Sequence, residues 1–146
     1  MHNIHGYIAD YDMLTSAVHG FGFQKAIIVR LKSNNLGFLP ITDAFSREMR
    51  HNKINRSEML KTRRLGFPIA LIETDYFGGA GEQKARVVHG QETPLEKGKI
   101  NQALKILGVL RTPEIDEFDV VGLGKYRTND HWVESKCHLQ NQSQTV

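Results

Sequence analysis

Between Ile69 and His89 the charged residues Glu73, Asp75, Glu82, Lys84 and Arg86 fall at every second position on either side of Gly78-Gly79-Ala80-Gly81, and the residues between them are uncharged. A period of two is the signature of a strand with one buried face, and a run of small residues between two such strands signals a hairpin. A four-residue loop pairs Phe77 with Glu82, Asp75 with Lys84, Glu73 with Arg86 and Leu71 with Val88. In that register Ala70, Ile72, Thr74, Tyr76, Ala85 and Val87 share one side, which is expected to face the core.

A second hairpin is expected from Lys25 to Ile41. Its turn falls at Ser33-Asn34-Asn35, because asparagine accepts the positive φ that a type I′ turn requires. The two-residue loop sets Leu31 opposite Phe38, with Ile27, Val29 and Leu36 on the same side. Pro40 has no N–H to donate to a ladder, so the second strand is at an edge or ends there. Further strands are expected at Tyr7–Ala9 and Asp119–Leu123.

Helix signals punctuate these strands. Asp10 or Asp12 caps a helix carrying Met13, Leu14, Ala17 and Val18, stopped at Gly20. Asp43 caps a second, with Phe45 and Met49 one turn apart, and Ser57 caps a third that ends at Gly66 and Pro68. Thr93-Pro94-Leu95-Glu96 reads as an N-cap, a proline at the first helical position and a capping-box glutamate. Leu104 and Leu107 follow on one face, with Gly108 and Val109 as a Schellman stop. Adjacent hairpins make the sheet mainly antiparallel. The expected class is therefore α+β: one domain over residues 1–132, short helices on one face, and a polar C-terminal tail over 133–146.

With 40% hydrophobic residues in 146, the chain has enough apolar material for one core. No apolar run is long enough to span a bilayer and no export signal opens the sequence, so no membrane partner and a cytoplasmic location are expected. The lone Cys137 excludes an intramolecular disulfide and reads as an ordinary thiol. Nineteen Lys and Arg against sixteen Asp and Glu leave +3. That excess is concentrated: Arg47, Arg50, Lys53, Arg56, Lys61, Arg63 and Arg64 face only Glu48 and Glu58 within their segment. An opposite bias lies at Glu114, Asp116, Glu117 and Asp119.

Three readings of function follow. Glu73 and Asp75, two apart on a strand, point the same way roughly 7 Å from one another. With Glu82 beyond the glycines they are the candidate catalytic carboxylates, and Gly78, Gly79 and Gly81 are the candidate ligand-binding residues. The same carboxylates opposite Lys84 and Arg86 make an exposed ion-pair ladder, which is the reading the register favours. The glycines fit neither the phosphate-loop nor the dinucleotide pattern, and Gly122-Leu123-Gly124-Lys125 reads as a strand leaving through a glycine bend. Seven scattered histidines form no helical pair, so no metal and no cofactor is expected.

The basic segment 47–64 has the outline of two short helices that could track phosphates, but it contains no aromatic residue for base stacking. By elimination the expectation is a non-enzymatic binder of macromolecules. Its partner would be a protein, as for a bacterial immunity or inhibitor-type protein, and the sequence leaves room for a homo-oligomer. A small enzyme or ligand binder at the Glu73/Asp75 loop is the first alternative, and nucleic-acid binding through the basic segment the second.

Overall fold

The computed structural model describes residues 2–55, 67–77, 80–88 and 99–144. In chain order the elements are β1 (His5–Asp10), α1 (Tyr11–Phe21), β2 (Val29–Arg30), β3 (Leu36–Pro40), α2 (Asp43–His51), β4 (Ile69–Phe77), β5 (Ala80–Val88), α3 (Ile100–Ile106), α4 (Glu117–Val120) and α5 (Asn129–Gln144). The strands form one antiparallel sheet in the order β2-β3-β1-β4-β5, so the class is α+β as expected. None of the described helices is long and apolar enough to cross a membrane.

The helices lie on both faces of the sheet, where the sequence suggested one. Ile8, Phe38, Ala70, Ile72, Ala85 and Val87 point to a first face, packed with Ala103 and Leu104 of α3 and Trp132 of α5. Tyr7, Ala9, Leu39 and Ile69 point to the second, packed with Leu14 and Val18 of α1 and Phe45 and Met49 of α2. Central strands carry apolar residues at odd and even positions alike because both sides are covered. β1 is such a strand: Tyr7, Ile8 and Ala9 are all fully buried.

Turn and cap chemistry explains several boundaries. Asn34 and Asn35 adopt φ of 63° and 50°, and Leu36 N–H donates to Ser33 O, as a type I′ turn requires. The strands nevertheless pair Val29 with Phe38, two residues out from the expected register. Lys32 leaves the ladder and donates its N–H to Val121 O at 3.0 Å, which lengthens the loop. α1 is capped by Asp10, whose side chain accepts from Asp12 N and Met13 N, and it runs past Gly20 to Gly22 at φ 74°. Thr42, one residue before the expected Asp43, caps α2 through Phe45 N. The helix expected from Ser57 lies outside the described residues.

Two elements depart from the sequence reading. α3 starts only at Ile100, since Lys99 is extended, and Gln83 of β5 accepts the Ile100 N–H at 2.9 Å. The capping box at Thr93–Glu96 therefore does not start this helix, and residues 91–98 lie outside the described part. Its C-terminus does follow expectation: Gly108 has φ 95°, and Gly108 N and Val109 N donate to Lys105 O and Leu104 O.

The strand expected at Asp119–Leu123 is instead α4 with the same kind of stop. Asp116 accepts from Asp119 N, Gly122 has φ 77°, and Gly122 N and Leu123 N donate to Asp119 O and Phe118 O. The Gly122-Leu123-Gly124-Lys125 segment is thus a helix terminus, not a strand bend.

The C-terminal segment, polar by composition, continues as α5 from Asn129 to Gln144. Its first residue ties together the start of β1 and the chain just after β3. Asn129 accepts from His5 N and donates to His5 O and Ile41 O, all within 2.9–3.0 Å. Trp132 then inserts against Phe38 and Tyr126 with edge-on ring contacts.

Candidate functional site

The β4–β5 hairpin carries the candidate catalytic carboxylates Glu73, Asp75 and Glu82, but in a different register. Phe77 pairs with Ala80, so two residues separate the strands rather than four. Each expected cross-strand partner therefore moves by two. Asp75 faces Glu82, Glu73 faces Lys84, and Leu71 faces Arg86, so the expected Asp75–Lys84 and Glu73–Arg86 pairs do not form. A two-residue slip leaves the faces unchanged, and Ala70, Ile72, Thr74, Ala85 and Val87 are buried as expected.

Gly81 belongs to β5 rather than to a ligand loop. A Cβ there would stand 1.9 Å from Asp75 O and 2.6 Å from Tyr76 Cα. Glycine allows the two backbones to approach. Gly78 and Gly79 lie outside the described residues.

The second face of the sheet is covered by α1 and α2 over β1, β3 and the start of β4, and it is open farther out. Glu73, Asp75, Glu82 and Lys84 are all exposed there. Lys84 Nζ reaches Glu82 Oε2 at 3.9 Å, with the two side chains 64% and 77% exposed. Such a pair has little value in water. Asp75 directly opposite Glu82 is a like-charge cross-strand pair and works against the hairpin. Among the described residues no group of three or more His, Cys, Asp or Glu side chains could hold a metal ion.

The outer edge of β5 is the other distinctive feature. β4 donates Thr74 N to Ile4 O and Tyr76 N to His2 O, so its even-numbered residues bond toward the β1 side. The odd residues bond to β5, which makes Asp75–Glu82 and Glu73–Lys84 the hydrogen-bonded pairs. Gly81, Gln83 and Ala85 consequently turn N–H and C=O outward. The opposite edge strand, β2, has only two residues and lies against α5.

Thr74, 1% exposed, pins the N-terminal segment beside this hairpin. Its Oγ1 accepts Ile4 N–H at 3.0 Å and is 2.7 Å from His2 Nδ1. Burial, helped by the Arg127 charge, pushes the His2 imidazole below its ordinary pKa.

An open groove of about 550 Å³ lies between α1, the 23–28 segment and α5. Asp12, His19, Phe23, Ile27 and Lys136 are among its walls. Lys136 Nζ donates to Ile28 O, and the Arg30 guanidinium stacks 3.8 Å from the Tyr11 ring. None of the candidate site residues of the sequence lines it. Lys136 was hidden from sequence reasoning because it comes from the segment whose composition reads as a tail.

The basic segment is divided. Arg47 and Arg50 are exposed on α2, and Lys53 follows in a left-handed turn at φ 59°. Glu48 faces the other way and accepts Gln24 N and Lys25 N, each at 2.9 Å. Arg56, Lys61, Arg63 and Arg64 lie outside the described residues, as does the second helix expected there.

Comparison with protein-family models, curated proteins and solved structures yields no match for this chain.

Proposed function

We propose that this chain is a non-enzymatic, protein-binding module whose contact surface is the outer part of the β4–β5 hairpin. The observation that carries this reading is the nine-residue edge strand β5, which among the described residues pairs only with β4 and turns Gly81, Gln83 and Ala85 outward. An open edge is a template for an added strand, with main-chain hydrogen bonds supplying affinity and flanking side chains supplying selectivity. The exposed charges beside it suit selection of a partner more than catalysis. A catalytic carboxylate needs a desolvated, concave setting, whereas Glu73, Asp75 and Glu82 stand in water on a sheet face.

Affinity purification from the native source identifies the partner, which is then reconstituted from purified components. Ala85→Pro removes an outward N–H at a position where an edge strand tolerates proline. It is expected to weaken the reconstituted complex about tenfold or more with the fold intact. A divalent-ion-dependent activity that disappears in Glu73→Gln or Asp75→Asn, in a folded protein, overturns the proposal in favour of an enzyme.

A further inference from the structure

We infer that the strand accepted by the β5 edge is β5 of a second copy of this chain, in an antiparallel pairing centred on Gln83. This rests on the reading of β5 as the contact edge and adds the identity of its occupant.

The argument is one of register. Outward N–H and C=O groups belong to odd-numbered residues, so a two-fold pairing must set odd residues opposite odd ones. Any alignment centred on a residue satisfies that condition, and the charges separate those around the middle of Ala80–Val88. Centring on Glu82 sets two glutamates face to face. Centring on Lys84 sets two lysines face to face, and centring on Ala85 sets Lys84 against Arg86. Centring on Gln83 sets Glu82 opposite Lys84 on both sides of the axis, and Gly81 opposite Ala85 in the flanking hydrogen-bonded pairs. The Glu82–Lys84 pairs fall at non-hydrogen-bonded positions, where facing side chains approach most closely. Charged edges ordinarily discourage strand addition. Here the Glu82/Lys84 alternation rejects the registers centred on Glu82, Lys84 and Ala85 and favours the one centred on Gln83, so the same side chains that protect the edge also select its partner.

Two further observations fit that occupant. The Gln83 side chain is already engaged inside its own protomer, donating to Tyr76 Oη at 2.7 Å and accepting Ile100 N–H at 2.9 Å, and among the described residues its backbone meets no strand on the outer side of β5. The Glu82 carboxylate, which within one chain has Asp75 opposite it and its own Lys84 Nζ 3.9 Å away, gains a second ammonium from the other.

Sedimentation equilibrium and hydrogen exchange on the full chain test this. The wild type is expected to dimerise reversibly below ~0.1 mM. Amide protection at Gln83 and Ala85 should rise with protein concentration. Lys84→Glu sets glutamates opposite one another and should raise the dissociation constant at least about tenfold. Glu82→Lys combined with Lys84→Glu restores opposite charges and should return it to near the wild-type value. Circular dichroism verifies that each variant is folded.

A wild type that stays monomeric at ~1 mM overturns the inference. So does a dimer that Lys84→Glu leaves intact. If the chain is monomeric while Ala85→Pro still abolishes binding of a purified heterologous partner, self-pairing fails and the protein-binding reading stands. If neither association depends on the edge, both fail.

Discussion

Asp75→Lys separates the observed hairpin register from the one suggested by the sequence, because the two predict opposite signs. In the structure residue 75 faces Glu82 and shares its side of β4 with Glu73. Lysine there replaces a like-charge cross-strand pair by an opposite-charge one. Cross-strand charge pairs are worth roughly 0.2–1 kcal/mol, and exposure places this one near the middle of that range. A gain of about 0.5 kcal/mol corresponds to a shift of ~0.3 M in the urea midpoint for a chain of this size. Were residue 75 opposite Lys84, as a four-residue loop requires, the same substitution would create a Lys–Lys pair and lose a similar amount. Urea denaturation of dilute protein at low ionic strength reads the sign. In ~1 M salt, where screening acts within about 3 Å, the gain should vanish. A destabilised Asp75→Lys, or a gain indifferent to salt, refutes the register and the like-charge argument built on it.

Leu104→Ala should cost about 2–5 kcal/mol, since Leu104 is fully buried between α3 and the sheet, while Lys105→Ala on the exposed side should stay within ~0.5 kcal/mol; chemical denaturation ranks them. Gly122→Ala forces a Cβ into the left-handed cap of α4 and should cost about 1 kcal/mol, read from the thermal midpoint. Thr74→Val leaves Ile4 N–H without its buried acceptor and should cost about 1–3 kcal/mol in urea denaturation. His2, with its pKa depressed by burial, folds in the neutral form. The unfolded chain therefore binds the extra proton, so stability is full above pH 6.5 and declines as pH falls toward the depressed value. His2→Gln keeps a polar partner for Thr74 and removes that part of the decline, so its stability difference from wild type should shift in its favour on acidification from pH 8 to 5. An unchanged difference would count against a buried neutral imidazole.

Local chemistry was legible in the sequence wherever a few adjacent residues decide it. Asn34-Asn35 accept positive φ without help from the rest of the chain, and Gly108 followed by Val109 ends a helix by the same local logic. Gly122 followed by Leu123 carries that second signal too, and Asp116 three residues before Asp119 is the matching N-cap. The apolar Val120 and Val121 masked it by suggesting a strand.

The division of β4 and β5 into a buried and a wet side was likewise determined by the sequence alone, because a side-chain period of two survives any slip by two residues. Which residues face one another across the hairpin was not. That depended on Gly81 letting β5 approach β4, so that pairing continues to Ala80 and brings Asp75 opposite Glu82 rather than Lys84. That same slip takes Gly81 out of the expected glycine loop and into β5.

Only the tertiary structure could place helices on both faces, since a uniformly apolar β1 marks two covered sides without saying what covers them. Only it could give α5 its start, because Asn129 finds its partners on β1 and after β3, and Trp132 finds its partners in a core built largely from residues far away in sequence. Turns and caps are satisfied by neighbours along the chain. Registers, layers and edges are settled by groups that meet only after the chain has closed on itself.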